Sequence, residues 1–106
     1  MQNCWLVLGE LFYHYEAGEF EKEITPETHG RELYDQYCED VNQPIAIETV
    51  INKIKAGEYT DKEEFKSDVE RIFSNCLSFN KEGSEIYESA LSLKFFFRDK
   101  CGEFRL

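Results

Sequence analysis

Cys4, Cys38, Cys76 and Cys101 and the two histidines, His14 and His29, are the side chains of this sequence best suited to bind a metal or to act as nucleophile and base. A zinc site needs cysteines and histidines grouped at short spacing, and no C-x-x-C pair occurs here. Neither histidine has a nucleophile or an orienting carboxylate in a recognisable arrangement. No catalytic residue, metal or other cofactor is therefore assigned, and the chain is not expected to be an enzyme. A disulfide framework is disfavoured as well, because this many Phe, Ile and Leu residues can form a core without covalent staples. The cysteines read as buried thiols.

Charge narrows the function further. Asp and Glu outnumber Lys and Arg by 22 to 12, a net charge of −10, which repels a phosphate backbone and argues against direct nucleic-acid binding. Between Glu16 and Asp40 nine acidic side chains face only Lys22 and Arg31. Such a segment either attracts a basic polypeptide or is a solvated loop that keeps the protein soluble. No apolar run is long enough to cross a membrane, and the start MQNCWLVLGELFYHY lacks the basic flank and small-residue cleavage site of a secretory signal. The expectation is a soluble intracellular protein without a membrane partner. Asn80 stands at the end of an apolar stripe, where on position alone an asparagine terminates a helix more often than it anchors a ligand.

Helices must position these groups. With 106 residues, 42% of them apolar, the chain can form one modest core, a single domain over 1–106. Only Pro26 and Pro44 interrupt it, and no alternating strand pattern is present, so the fold class is all-α. Trp5, Leu8, Phe12 and Tyr15 trace the inward face of a first helix, with Gly18 where it could end. Residues 19–43 have no sustained period and form a connection of about 25 residues, far beyond the usual length. Within it Thr25-Pro26-Glu27 is a plausible cap and first turn, and Leu33, Tyr37 and Val41 lie four apart. Ile47, Val50, Ile51 and Ile54 stripe a second helix closed by Gly57. Thr60 and Glu63 have capping-box spacing ahead of a third helix, striped by Phe65, Val69, Ile72, Phe73, Cys76 and Phe79. Ser84 caps a fourth helix, which turns Ile86, Ala90, Leu93, Phe97 and Cys101 inward.

The stretch PIAIETVINKIKAGEYTDKEEFKSDVERIFSNCLSFN, from Pro44 to Asn80, carries a hydrophobic run after proline, a Y-x-x-x-x-E-F-x-x-D-V core with F-x-N-C, and a terminal aromatic-Asn pair. Together with Gly83-Ser84-Glu85-Ile86-Tyr87, this makes the sequence resemble a bromodomain from about Leu8 to about Phe104. The resemblance implies a left-handed four-helix bundle, with a long loop between the first and second helices and a short loop between the third and fourth. It implies that Asn80 donates to the carbonyl of an acetylated lysine and that Tyr37 reaches the same carbonyl through a water. It further places Ile86 at the gatekeeper position, Phe20 at the shelf phenylalanine, Ile24 on the cavity wall and Phe79 at the position of a common tyrosine. The implied partner is an acetylated histone tail or other acetylated protein, bound in the nucleus within a larger multi-domain protein or complex, and the start of the chain almost inside its first helix fits such a piece.

Departures from the family pattern bear on the groove. The Trp-Pro-Phe shelf reads Gly18-Glu19-Phe20, the loop to Pro44 is a few residues longer, leaving Leu33 and Tyr34 unassigned as walls, and Ala46 replaces an aspartate cap. A more open groove is expected. The alternative is a degenerate bromodomain that serves as an interaction module without acetyl-lysine binding.

The residue types suit an acyl ligand on chemical grounds too. Acetylation converts a hydrated ammonium into a neutral amide on an aliphatic stem. An apolar slot can accept that head, whereas a protonated amine loses several kcal/mol on drying. Asparagine both donates and accepts, so one side chain can serve the ligand's carbonyl and its N–H.

Overall fold

The stripe Phe65, Val69, Ile72, Phe73 and Cys76 lies along the buried face of one long helix in the computed structural model, which describes residues 2–41 and 43–106. Six α-helices are described: α1 (Gln2–Phe12), α2 (Pro26–His29), α3 (Arg31–Asp40), α4 (Ile47–Lys55), α5 (Lys62–Phe79) and α6 (Glu85–Glu103), with a 3₁₀ turn at Gly18–Phe20. No strand occurs among the described residues. Helix α5 packs on α6, α6 on α1, α1 on α4 and α4 on α5, which closes a ring of four helices around the core. The short helices α2 and α3 belong to the long connection, and α3 lies against α5.

Phe65, Phe73, Phe97, Leu8, Leu11, Ile47 and Leu93 are the largest fully buried side chains, and they come from all four ring helices. Phe65 meets Phe97 at 6.0 Å between ring centroids, and Phe20 meets Phe73 edge-on at 5.8 Å, so the loop residue Phe20 is part of the core. Helix α6 buries Ala90, Leu93, Phe97 and Cys101 as its pattern predicts, and within Phe95-Phe96-Phe97 only Phe97 is buried.

Several details differ from the sequence reading. Helix α1 stops at Phe12 and turns Cys4, Val7, Leu8 and Leu11 inward, leaving Trp5 and Tyr15 exposed. Its eleven residues hold one charge, Glu10, so apolar spacing alone does not choose a face. Gly18 opens the 3₁₀ turn instead of ending α1. Cys38 is exposed on α3, whereas the other three cysteines are buried.

The start of α5 is shifted by one residue from the Thr60–Glu63 box. Asp61 is the cap, its Oδ1 accepting from the Glu64 N–H at 2.9 Å, and Glu64 Oε1 reaches back to accept from the Thr60 N–H at 2.7 Å. Asp61→Ala should therefore cost about 1 kcal/mol in urea unfolding, while Glu63→Ala stays within about 0.5 kcal/mol of the parent protein. Equal losses would restore the Thr60 assignment. Elsewhere the expected signals hold: Thr25 and Thr28 cap α2 reciprocally, Ser84 caps α6, and Gly57 follows α4 with φ +69°. Ala46 offers no side-chain cap to α4, and only the reverse half of a box forms, Thr49 Oγ1 accepting from the Ala46 N–H at 3.2 Å.

One buried carboxylate ties α4 to α5. Asp68 Oδ2 accepts from Lys53 Nζ at 2.8 Å and from the Tyr59 hydroxyl at 2.7 Å, while Oδ1 faces an Arg71 guanidinium nitrogen at 3.1 Å. Burial pushes this carboxyl up, but the lysine, tyrosine and arginine together outweigh it and hold it below the usual carboxylate range.

Candidate binding site

The end of the bundle where α5 stops and α6 starts also receives the long connection. Asn80 leaves the helical conformation (φ −93°, ψ 155°), its backbone N–H still donating to the Cys76 carbonyl at 2.9 Å, so its side chain sits at the mouth between the two loops. Two hydrogen bonds pin the connection there. Asn75, buried on α5, donates through Nδ2 to the Gln43 carbonyl at 2.9 Å, and the Glu48 N–H at the first turn of α4 donates to the Glu21 carbonyl at 2.9 Å.

A cavity of about 50 Å³ opens at this junction. Phe20, Ile24 and Ile45 form its walls from the connection, Ile72 comes from α5 and Ile86 from α6. Tyr37 and Asn80 supply polar groups, and Glu19, Lys22 and Glu23 stand exposed at the lip. Five of the six residues assigned from sequence, Asn80, Tyr37, Ile86, Phe20 and Ile24, thus meet at one cavity. Phe79 does not line it. One position before Asn80 on the helix, it is rotated by about 100° and packs edge-on against Tyr37 with ring centroids 5.0 Å apart. Its role is to hold the tyrosine ring. Leu33 and Tyr34 are absent from the lining.

Sequence reasoning did not assign Cys76 to the site, although it stands one helical turn before Asn80 and lines the cavity. Asn80 Nδ2 lies 3.1 Å from the Cys76 carbonyl and 3.3 Å from its sulfur, while Oδ1 has no protein partner among the described residues. Sulfur is a weak acceptor, so a ligand carbonyl offered to the amide would replace it with a stronger bond. Burial pushes the Cys76 thiol up to about 11, against a lowering by the Asn80 hydrogen bond, and the thiol is protonated at neutral pH. Burial likewise pushes the Tyr37 phenol up, so its hydroxyl keeps its proton and can donate. Among the described residues that line it, the cavity holds hydrogen-bonding groups and a protonated thiol. Neither histidine reaches it: His14 Nδ1 accepts from the Glu16 N–H at 3.1 Å, and His29 Nδ1 lies 2.7 Å from Thr28 Oγ1. Among the described residues no cluster of His, Cys, Asp or Glu could hold a metal ion.

Comparison with known proteins places this geometry in a family. Residues 4–92 match the family model described as Bromodomain. The chain is 34% identical over 101 residues to Bromodomain adjacent to zinc finger domain protein 2A of Xenopus laevis, covering 95% of this chain and 6% of that protein. It is 35% identical over 78 residues to chromatin structure-remodeling complex subunit rsc4 of Schizosaccharomyces pombe, covering 74% of this chain and 14% of that one. The solved bromodomain of human BAZ1A superposes with a TM-score of 0.88 at 24% identity, over 98% of this chain and 92% of that one, a likeness of fold. The family match over nearly the whole chain, the ring of four helices and the cavity at its loop end together identify the chain as a member of the bromodomain family.

Proposed function

We propose that this bromodomain binds acetylated lysine on histone tails or other acetylated proteins in the nucleus, as one module of a larger protein. The observation that carries the reading is a slot whose apolar walls are joined, inside the charged lip, by Asn80 and Tyr37, whose amide and hydroxyl are of the kind an amide carbonyl requires. Its size agrees. A single water needs about 10–15 Å³ of such space, so about 50 Å³ takes roughly four atoms, the size of an acetamide head. Unmodified lysine would have to shed its hydration there without an ionic partner at depth, at a cost of several kcal/mol. The interaction-only alternative is less well supported. Gly18 and Glu19 remove the shelf, yet Phe20, Ile24, Ile86 and Asn80 all stand around an open slot.

Association with chromatin is inferred from a relative named as a chromatin structure-remodeling complex subunit. A larger parent protein is inferred from the small share of the relatives' length that the chain spans. One side chain fills so small a slot that affinities should be micromolar or weaker. Calorimetric titration with paired acetylated and unmodified histone peptides tests the reading, and equal heats for both would defeat it. Within this site Tyr37→Phe keeps the packing against Phe79 but removes the hydroxyl. A loss of about 1 kcal/mol in acetyl-peptide binding, some fivefold, is expected, with little change in melting temperature.

A further inference from the structure

We propose that the carboxylates of Glu19 and Glu23 at the lip of the slot select acetylated lysines that have Lys or Arg beside them in sequence. The inference rests on the acetyl-lysine reading above and adds the chemistry of the ligand's flanks. Both side chains line the cavity yet are exposed, because the 3₁₀ turn sends the Phe20 ring into the core and leaves Glu19 outside, and Glu23 precedes the wall residue Ile24. The turn is held by the Phe20 N–H donating to the Ala17 carbonyl at 2.9 Å, so Glu19 is presented from a fixed backbone.

Neither carboxylate forms an ion pair among the described residues. The pairs that do form join Arg31 to Asp35, Lys53 and Arg71 to Asp68, Arg98 to Glu70 and Lys100 to Glu10 and Glu103. Lys22 is the cation of the same lip and Lys81 follows Asn80 in sequence, but the segment from Glu16 to Asp40 carries nine acidic side chains against Lys22 and Arg31, and Arg31 faces Asp35. An acetylated lysine brings no charge into the slot, so the field at the lip acts on its neighbours. Residues one to three positions away along an extended peptide lie within about 3.5–10 Å, inside a screening length of roughly 10 Å at 0.1 M salt.

Three peptides sharing one acetylated lysine, flanked by Lys and Arg, by Gln, or by Glu, are titrated against the protein. The basic-flanked peptide should bind roughly three- to tenfold tighter than the Gln-flanked one at about 0.1 M salt, since exposed ion pairs are individually weak. At about 1 M salt the ratio should fall below about twofold. The double change Glu19→Lys with Glu23→Lys should invert the order, a gain for the Glu-flanked peptide that a folding defect does not produce. Equal affinities for the basic and Gln-flanked peptides, or an order unchanged in the double variant, overturn the proposal and leave acetyl-lysine binding intact. Acetylated peptides binding no better than their unmodified counterparts would overturn both.

Discussion

Alanine in place of Asn80 should remove the distinction between acetylated and unmodified peptides while leaving the bundle folded. The side chain can both donate to a carbonyl and accept from an N–H, and its Oδ1 is unclaimed by the protein among the described residues. Losing both contacts, and leaving the ligand amide dry and unpaired, should cost about 2–3 kcal/mol, roughly a 30- to 150-fold loss. From a micromolar or weaker start that places binding at the edge of detection. Stability should change little, because the hydrogen bond that closes α5 runs from the backbone N–H of Asn80 to Cys76 and survives the change. Asn80→Asp makes a second test, with nearly the same shape but a carboxylate set against the ligand's carbonyl oxygen. Unaltered acetyl-peptide affinity in both variants would remove this slot from consideration as the binding site.

The second large effect belongs to the scaffold. Asp68→Ala should destabilise the domain by about 3 kcal/mol at neutral pH, because it leaves Lys53, Arg71 and the Tyr59 hydroxyl without their common acceptor. The figure sits at the low end for a broken buried pair, since Lys53 and Arg71 each remain about one-third exposed and can turn toward water. A domain of this size should lose roughly 12–24 °C in melting temperature. The dependence on pH has a definite sign. A carboxyl held below its ordinary value stabilises the fold above the unfolded-state pKa of about 3.9, and that contribution disappears as acid protonates it in the native state. Urea unfolding should therefore show the gap between parent and Asp68→Ala wide at pH 7 and narrowing below about pH 4. A gap independent of pH down to about pH 2 would mean that the carboxylate charge is not what holds α4 to α5.

The sequence exposed the ring helices unevenly, and the reasons are physical. Helices α5 and α6 alternate apolar and charged residues at helical spacing, so their buried faces were legible. Helix α1 is apolar nearly all round, and its inward face was settled by α4 and α6 packing against it, which no local pattern records. At the start of α5 two candidate caps, Thr60 and Asp61, each precede a glutamate by three residues, and only the chain path after Tyr59 separates them. The site was more readable than its lip. Asn80, Tyr37, Phe20, Ile24 and Ile86 were implied by the resemblance to bromodomains, and the cavity gathers them. Glu19 was visible as one acid of a charged segment and as a departure from the shelf, but not as a neighbour of the slot, because that place depends on a 3₁₀ turn inside a connection without period.

The closed ring of α1, α4, α5 and α6 has a bearing on how such a domain can diverge. Most of what surrounds the slot is drawn from the connection, and the ring lends only a few side chains, among them Ile72, Cys76 and Ile86. Drift within that connection can alter taste for one ligand or another while the load borne by the phenylalanine-rich interior stays untouched. Phe20 and Ile45 are the exceptions, since they belong to both, and they mark the boundary between what such a lineage is free to rewrite and what it must inherit.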